Sequence, residues 1–153
     1  MGPHDCYSIK SKGILVILNT RQKKAVQALV ELVYRAGPDV TSAQLAIWLE
    51  LSRDSVHQLL LPLVRSGWVA AGRGRNGGYR PTPLAPTATT LSVVSLYSRE
   101  GREPGPEPST MPDAIQRLDR ELSETHRRYL SGITIASLVA EVKAEREELT
   151  YSI

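Results

Sequence analysis

Residues 72–79, GRGRNGGY, place four glycines, two arginines and an asparagine in eight positions, directly after the apolar run Trp68-Val69-Ala70-Ala71. Glycines let a loop approach another backbone closely, and Arg73 and Arg75 put two fixed cations on that loop. The combination suits an anionic surface, such as a narrow negative groove that either cation can enter. A turn that only joined two strands would need one or two glycines and no particular charge. A second constellation, Arg53, Asp54, Ser55, His57 and Gln58, follows Ser52. Arg53 offers paired groups that match a guanine edge and Gln58 paired groups that match adenine, while the plain alternative is a solvated polar face. Arg21, Lys23 and Lys24 form a third group at the front of a helical run. Cations there oppose the helix dipole, which points to an external anion such as phosphate.

The residues of catalysis are missing. There is no nucleophile-elbow pattern, no HExxH and no phosphate loop with its lysine. GRGRNGGY precedes a strand rather than a helix, so no helix N-terminus faces a phosphate there. His4, His57 and His126 are scattered without metal-ligand spacing. The single cysteine, Cys6, excludes an intramolecular disulfide and suits a reducing cytoplasm. The run Ile14-Leu15-Val16-Ile17-Leu18 is too short to span a bilayer and lacks a cleavage site. The expectation is a cytoplasmic protein with no membrane partner, no enzymatic activity and no cofactor.

The chain has 153 residues, 41% hydrophobic and 23% charged, with no phenylalanine. That allows one ordinary domain with an appended element, its core built from Leu, Val, Ile and Ala. Charge is unevenly placed. Residues 1–85 carry eleven Lys and Arg against five Asp and Glu, whereas residues 86–153 carry eight against eleven. An anionic partner is therefore expected for the front half only.

The elements that must hold these groups follow from periodicity. Residues 14–18 read as a short strand. From Thr20, Ala25, Leu29, Leu32, Val33 and Ala36 recur at helical steps until Gly37-Pro38. Thr41 caps a second helix, and Ser52 caps a third that buries Val56, Leu59, Leu60 and Leu63. Arg65-Ser66-Gly67 closes the third helix, and a β-hairpin spans 68–82 around the glycine-rich turn. Thr90 is expected to cap a fourth helix through Leu96 and Tyr97. Residues 100–111 form a proline-rich loop. A long helix then starts at about Pro112, with an apolar seam of Ile115, Leu118, Leu122, Thr125 and Tyr129. After Ser131-Gly132, a last helix carries Ile135, Leu138, Val139 and Val142 and ends in a charged run. Three helices and a hairpin over 20–82 make a winged helix-turn-helix, in which the third helix enters the major groove.

The segment VTSAQLAIWLELSRDSVHQLLLPLVRSGWVAAGRGRNGGY resembles the DNA-binding part of the IscR/NsrR/CymR winged-helix transcription regulators. The likeness rests on the Leu45-Ala46 pair, Leu51-Ser52, Gln58, Gly67-Trp68-Val69, Arg73-Gly74 and Gly77-Gly78-Tyr79, and it extends over roughly residues 18–142. The resemblance implies a mainly α fold with a small β-hairpin wing and a long C-terminal dimerisation helix. It implies division into an N-terminal extension (1–18), a DNA-binding domain (19–86) and a helical dimerisation and regulatory region (87–153). It implies a sequence-specific regulator, a repressor, acting as a homodimer on quasi-palindromic double-stranded DNA. Its contacts would be Arg21, Lys23, Lys24, Thr41, Ser52, Arg53, Ser55, His57, Gln58, Arg73, Arg75 and Tyr79. Many relatives hold an iron–sulfur cluster with three cysteines before the long helix, whereas residues 100–111 contain none, so no cluster is expected. Pro62 within the third helix and Arg80-Pro81 after the wing also depart from the pattern. They support an alternative, a winged-helix module that binds another regulatory protein. A small-molecule or protein effector, with a pocket between the fourth and long helices, would modify the first reading.

Overall fold

The computed structural model describes residues 18–72, 77–98 and 110–152. The expected first strand (14–17), Cys6, His4, Arg73, Arg75 and most of the proline-rich loop lie outside them. Helix α1 spans Thr20–Arg35 and starts with a reciprocal cap. Gln22 N donates to Asn19 Oδ1 (2.8 Å) and Asn19 N to Gln22 Oε1 (2.9 Å), which satisfies two of the donors that a helix start leaves free. Helix α2, Ser42–Leu49, has the same box between Thr41 and Gln44. Glu50 then takes a left-handed backbone conformation (φ 54°), and the chain turns into α3, Arg53–Arg65, capped by Ser52. Pro62 offers no N–H to the Gln58 carbonyl, yet α3 continues to Arg65.

Strands β1 (Val69–Ala71) and β2 (Tyr79–Pro81) pair antiparallel, with Ala70 opposite Arg80. The hairpin does not stand alone. Val40, just before α2, exchanges main-chain hydrogen bonds with Tyr79, at 2.8 and 2.7 Å. A Cβ at Gly78 would sit 2.6 Å from the Val40 carbonyl oxygen, so only glycine lets the strands approach this closely.

A 3₁₀ turn (Ala85–Thr87) leads to α4, Thr90–Ser95. The cap of α4 is Thr89 rather than Thr90, and the helix is one and a half turns, shorter than its apolar pattern implied. Thr90 instead donates its hydroxyl to the Ile133 carbonyl, which stitches α4 to the turn after the long helix. That helix, α5, spans Asp113–Ser131 with Pro112 at the cap position, one residue outside the helix. Helix α6, Ile135–Tyr151, includes the charged run in its last turns. Within that run Arg146 pairs with Glu31 and stacks over the Tyr34 ring, 4.5 Å from its centre. The core gathers Ala25, Leu29 and Leu32 of α1, Leu45 and Leu49 of α2, and Val56, Leu60 and Leu63 of α3, and it extends to Val93, Tyr97 and Ile135. Leu138, Val139 and Val142 of α6 pack on its edge.

The architecture is mainly α with a β-hairpin wing, as the periodicity implied. Two buried bonds lock α4 into it: Gln22 Nε2 to the Val94 carbonyl (3.1 Å), and the Tyr97 hydroxyl to the Leu59 carbonyl of α3. Burial raises the Tyr97 pKa far above the usual 10.0, against an opposing pull from Arg21. Above that value an unfolded chain loses the Tyr97 proton while the folded chain keeps it, so stability falls as pH rises. Tyr97→Phe should flatten this fall in urea melts between about pH 9 and 11, and cost about 1 kcal/mol at neutral pH through the lost hydrogen bond.

Candidate nucleic-acid interface

The first two turns of α3 point a continuous polar row outward, in which Arg53, Asp54, Ser55, His57 and Gln58 are all exposed. This follows from the opposite face, where Val56, Leu59, Leu60 and Leu63 are buried. Two of the expected contact hydroxyls have a local task. Ser52 Oγ accepts from Ser55 N (3.1 Å) and donates to Ser55 Oγ (2.9 Å). Thr41 Oγ1 accepts from Gln44 N and donates to Gln44 Oε1, both at 3.2 Å. Arg53, Asp54 and Gln58 make no side-chain hydrogen bond among the described residues, which leaves their polar groups available to an outside partner.

The wing lies beside this row. His57 Nδ1 and the Tyr79 hydroxyl share a hydrogen bond of 2.5 Å, which joins α3 to β2. Burial raises the Tyr79 pKa, so its phenol stays protonated under ordinary conditions. Arg80 is held by Asp39 at 3.5 Å, and Gly72 N donates to the Gly78 carbonyl (2.7 Å) at the base of the hairpin tip. Arg73 and Arg75, on that tip, lie outside the described residues.

The three cations of α1 are not used alike. Lys23 is exposed. Lys24 lines a shallow groove of about 570 Å³ with Asp54, Ser55 and Gln58, and Arg21 borders that groove as well. The Arg21 guanidinium sits over the Tyr97 ring, 5.4 Å from its centre, in a cleft behind α3. The pocket expected between the fourth and long helices is not where this cleft lies, because the end of α4 faces α1 and α3 there.

Sequence reasoning missed Val40 and Asp39, since a single bridging residue leaves no periodic signal. It also missed Leu61 and Arg65, both exposed on α3. Leu61 follows Gln58 by three residues and Arg65 follows Leu61 by four, and that helical spacing was the available clue. Along α5, Ile115, Leu118, Leu122 and Tyr129 are 50%, 53%, 62% and 68% exposed, and Thr125 is exposed beside them. The apolar seam is therefore uncovered by the described residues.

The family model for Rrf2, described as an iron-dependent transcriptional regulator, matches residues 18–141. The chain belongs to the Rrf2 family of transcriptional regulators. A relative named as an HTH-type transcriptional regulator, BadM of Rhodopseudomonas palustris, is 24% identical over 124 residues, covering 79% of this chain and 80% of that protein. The fold is similar to that of IscR from T. potens, with a TM-score of 0.68 and 20% identity over 86% of this chain and 90% of that one. CymR, the global cysteine regulator of B. subtilis, gives 0.69 and 20% identity over 83% and 98%. As an Rrf2 member the chain is a DNA-binding regulator with a winged helix, and its family relatives are regulators rather than enzymes.

The iron in the family's description meets a poor donor set here. The chain has one cysteine, and residues 100–111 have none. Among the described residues no group of three or more His, Cys, Asp or Glu side chains could hold a metal. The buried His126 Nε2 lacks a hydrogen-bond partner, but no second ligand accompanies it. These residues do not fit a cysteine-held cluster. Among the described residues no helix is long and apolar enough to cross a membrane.

The bond between His57 and Tyr79 can be isolated by a double-mutant cycle on folding stability. His57→Ala and Tyr79→Phe should couple by about 0.5–1.5 kcal/mol in urea unfolding, whereas additive effects would show that helix and wing are independent.

Proposed function

We propose that this regulator is a repressor that binds quasi-palindromic duplex DNA as a homodimer, without an iron–sulfur cluster. The observation that carries the reading is the outward row of α3, whose Arg53 and Gln58 are exposed and free of internal hydrogen bonds beside a wing held at a fixed position. In this reading Gln58 and Arg53 contact base edges in the major groove. Ser52, Thr41, Ser55, Lys23 and Lys24 line the phosphate backbone, and Arg21 meets an anion nearby. His57 and Tyr79 act as a pair at the junction of helix and wing. Arg73 enters the minor groove and Arg75 meets a phosphate. Phosphate contacts supply most of the affinity and its salt dependence, while the row supplies the sequence preference.

Residues 19–86 form the DNA-reading unit, 1–18 an extension, and 87–153 the dimerisation and regulatory region, which works in the cytoplasm with the rest. The exposed seam of α5 supports dimerisation, because a helix with four large apolar side chains in water gains by covering them. An isologous pairing through Ile115, Leu118, Leu122, Thr125 and Tyr129 presents two reading helices to two half-sites. A second reading, a module that binds a regulatory protein, draws on Ile47 and Leu61, which are 75% and 42% exposed near the reading surface.

Selection of bound duplexes from a random pool at near-physiological salt decides between these readings. A two-fold-symmetric motif supports the repressor reading, and only unspecific binding or none favours the protein partner. On the selected site, Gln58→Ala should relax base preference at one position per half-site, a change of about 1–3 kcal/mol in discrimination. Arg73→Ala should weaken binding across sequences. An unchanged preference in Gln58→Ala would mean that another residue reads the base. The double variant Leu118→Glu/Leu122→Glu should sediment as a monomer with its melting temperature nearly unchanged, and lose about a hundredfold in operator affinity. A variant that stays dimeric would place the interface elsewhere.

A further inference from the structure

Behind the reading helix lies a cleft of about 910 Å³, walled by the first turn of α1, the last turn of α3 and the end of α4. Its size falls in the range of small-molecule sites. Its charge is one-sided. Arg21 and Arg65 line it, Ser66 and Ser98 add neutral hydroxyls while the Ser95 hydroxyl is given to the Leu91 carbonyl, and no carboxylate is among the described lining residues. Neither arginine is ion-paired among the described residues, in contrast to Arg35, Arg80, Arg128 and Arg146. Two unpaired guanidiniums with hydroxyl donors are a receptor for oxyanions, because charge-assisted hydrogen bonds are the strong ones and guanidinium presents its donors as a fork. Pro62 and Leu96 add apolar wall, which suits an organic carrier of the anion.

The position of Arg21 gives the cleft its direction. Its guanidinium is held over Tyr97, and the Tyr97 hydroxyl donates to the Leu59 carbonyl, one residue after Gln58. Arg65 sits at the opposite end of the same helix from Arg53. Between these two ends Pro62 leaves the Gln58 carbonyl without its helical donor, a gap in the ladder at which α3 can bend. We propose that this cleft binds a small organic anion bearing a phosphate or paired carboxylates, and that its occupancy adjusts the base-reading end of α3 from behind. Binding itself does not depend on the repressor reading; only its consequence for DNA does.

The test uses the full chain, isotopically labelled, titrated with inorganic phosphate at constant ionic strength and without DNA. The expected result is saturable shifts of the Arg21, Arg65, Ser66 and Tyr97 amides, with Leu59 following. Arg65→Gln and Arg21→Gln should each weaken phosphate by about tenfold, Arg65→Lys should restore part of the loss, and Lys143→Gln, on the exposed face of α6, should change nothing. Shifts that never saturate, that spread evenly over Lys23, Arg53 and Arg80, or that survive Arg65→Gln would overturn the site. A second arm measures duplex binding in phosphate-free buffer. If Arg65→Gln weakens it as strongly as Arg73→Ala does, the cleft holds a DNA phosphate and the small-anion proposal fails. Because phosphate is read without a duplex, a negative result leaves the repressor reading standing. A failed duplex selection likewise leaves the phosphate result standing.

Discussion

Two main-chain hydrogen bonds between Val40 and Tyr79 hold the hairpin against the start of α2, and the geometry of the reading surface follows from them. A two-stranded ribbon of three-residue strands is marginal in water by itself. Given a third strand residue, it becomes part of the helix-turn-helix. The close approach requires Gly78 to have no side chain, and it places the Tyr79 hydroxyl within reach of His57. One backbone contact thus fixes the angle between the helix that presents Arg53 and Gln58 and the loop that carries Arg73. The glycines of GRGRNGGY therefore have separate tasks. Gly78 makes room for Val40 at the root of the hairpin, while the tip is left to its arginines.

A second constraint works from the rear. Glu31, 7% exposed, accepts from Arg146 of α6 and from Arg35 one turn along its own helix, and the two guanidiniums in turn lie on Tyr34 and Trp48. A buried carboxylate is costly unless it is paired and hydrogen-bonded, and this one has both. The pair with Glu31 accordingly raises the Arg146 pKa. The rear of the molecule thus combines a satisfied ionic knot facing α1 with an uncovered apolar seam on α5. The charges around Glu31 are matched inside the chain, whereas the large apolar side chains of α5 remain in water.

Most of the architecture was legible because it rests on local rules. Thr41 and Ser52 declare their helices by residue type, and the leucines of α3 declare a buried face by spacing. The errors came where a distant contact overrode a local signal. Thr90 looked like a cap, but its hydroxyl goes to Ile133, across the turn after α5, and Thr89 takes the task. The charged run 143–148 was legible as the end of a helix, but its pattern could not show that Arg146 finds Glu31 115 residues away. The reading row was legible as a polar face, and so were the cations of α1 as a group. Their different surroundings were not, since no pattern in the sequence says that Arg21 will lie over Tyr97 while Lys24 lines a groove with Asp54.

The docking of α6 on α1 has a consequence for biosynthesis. The contacts that close the front half of the core come from Ile135, Leu138 and Val139, all made after residues 19–86. Residues 19–86 contain every element of the winged helix, yet while they are nascent α1 lacks its cover and Glu31 lacks one of its two cations. Contacts between the two ends of a chain form late and slowly, because a large loop must close before they reward it. The half-made polypeptide therefore leaves one side of α1 in water until the residues of α6 have been joined to it.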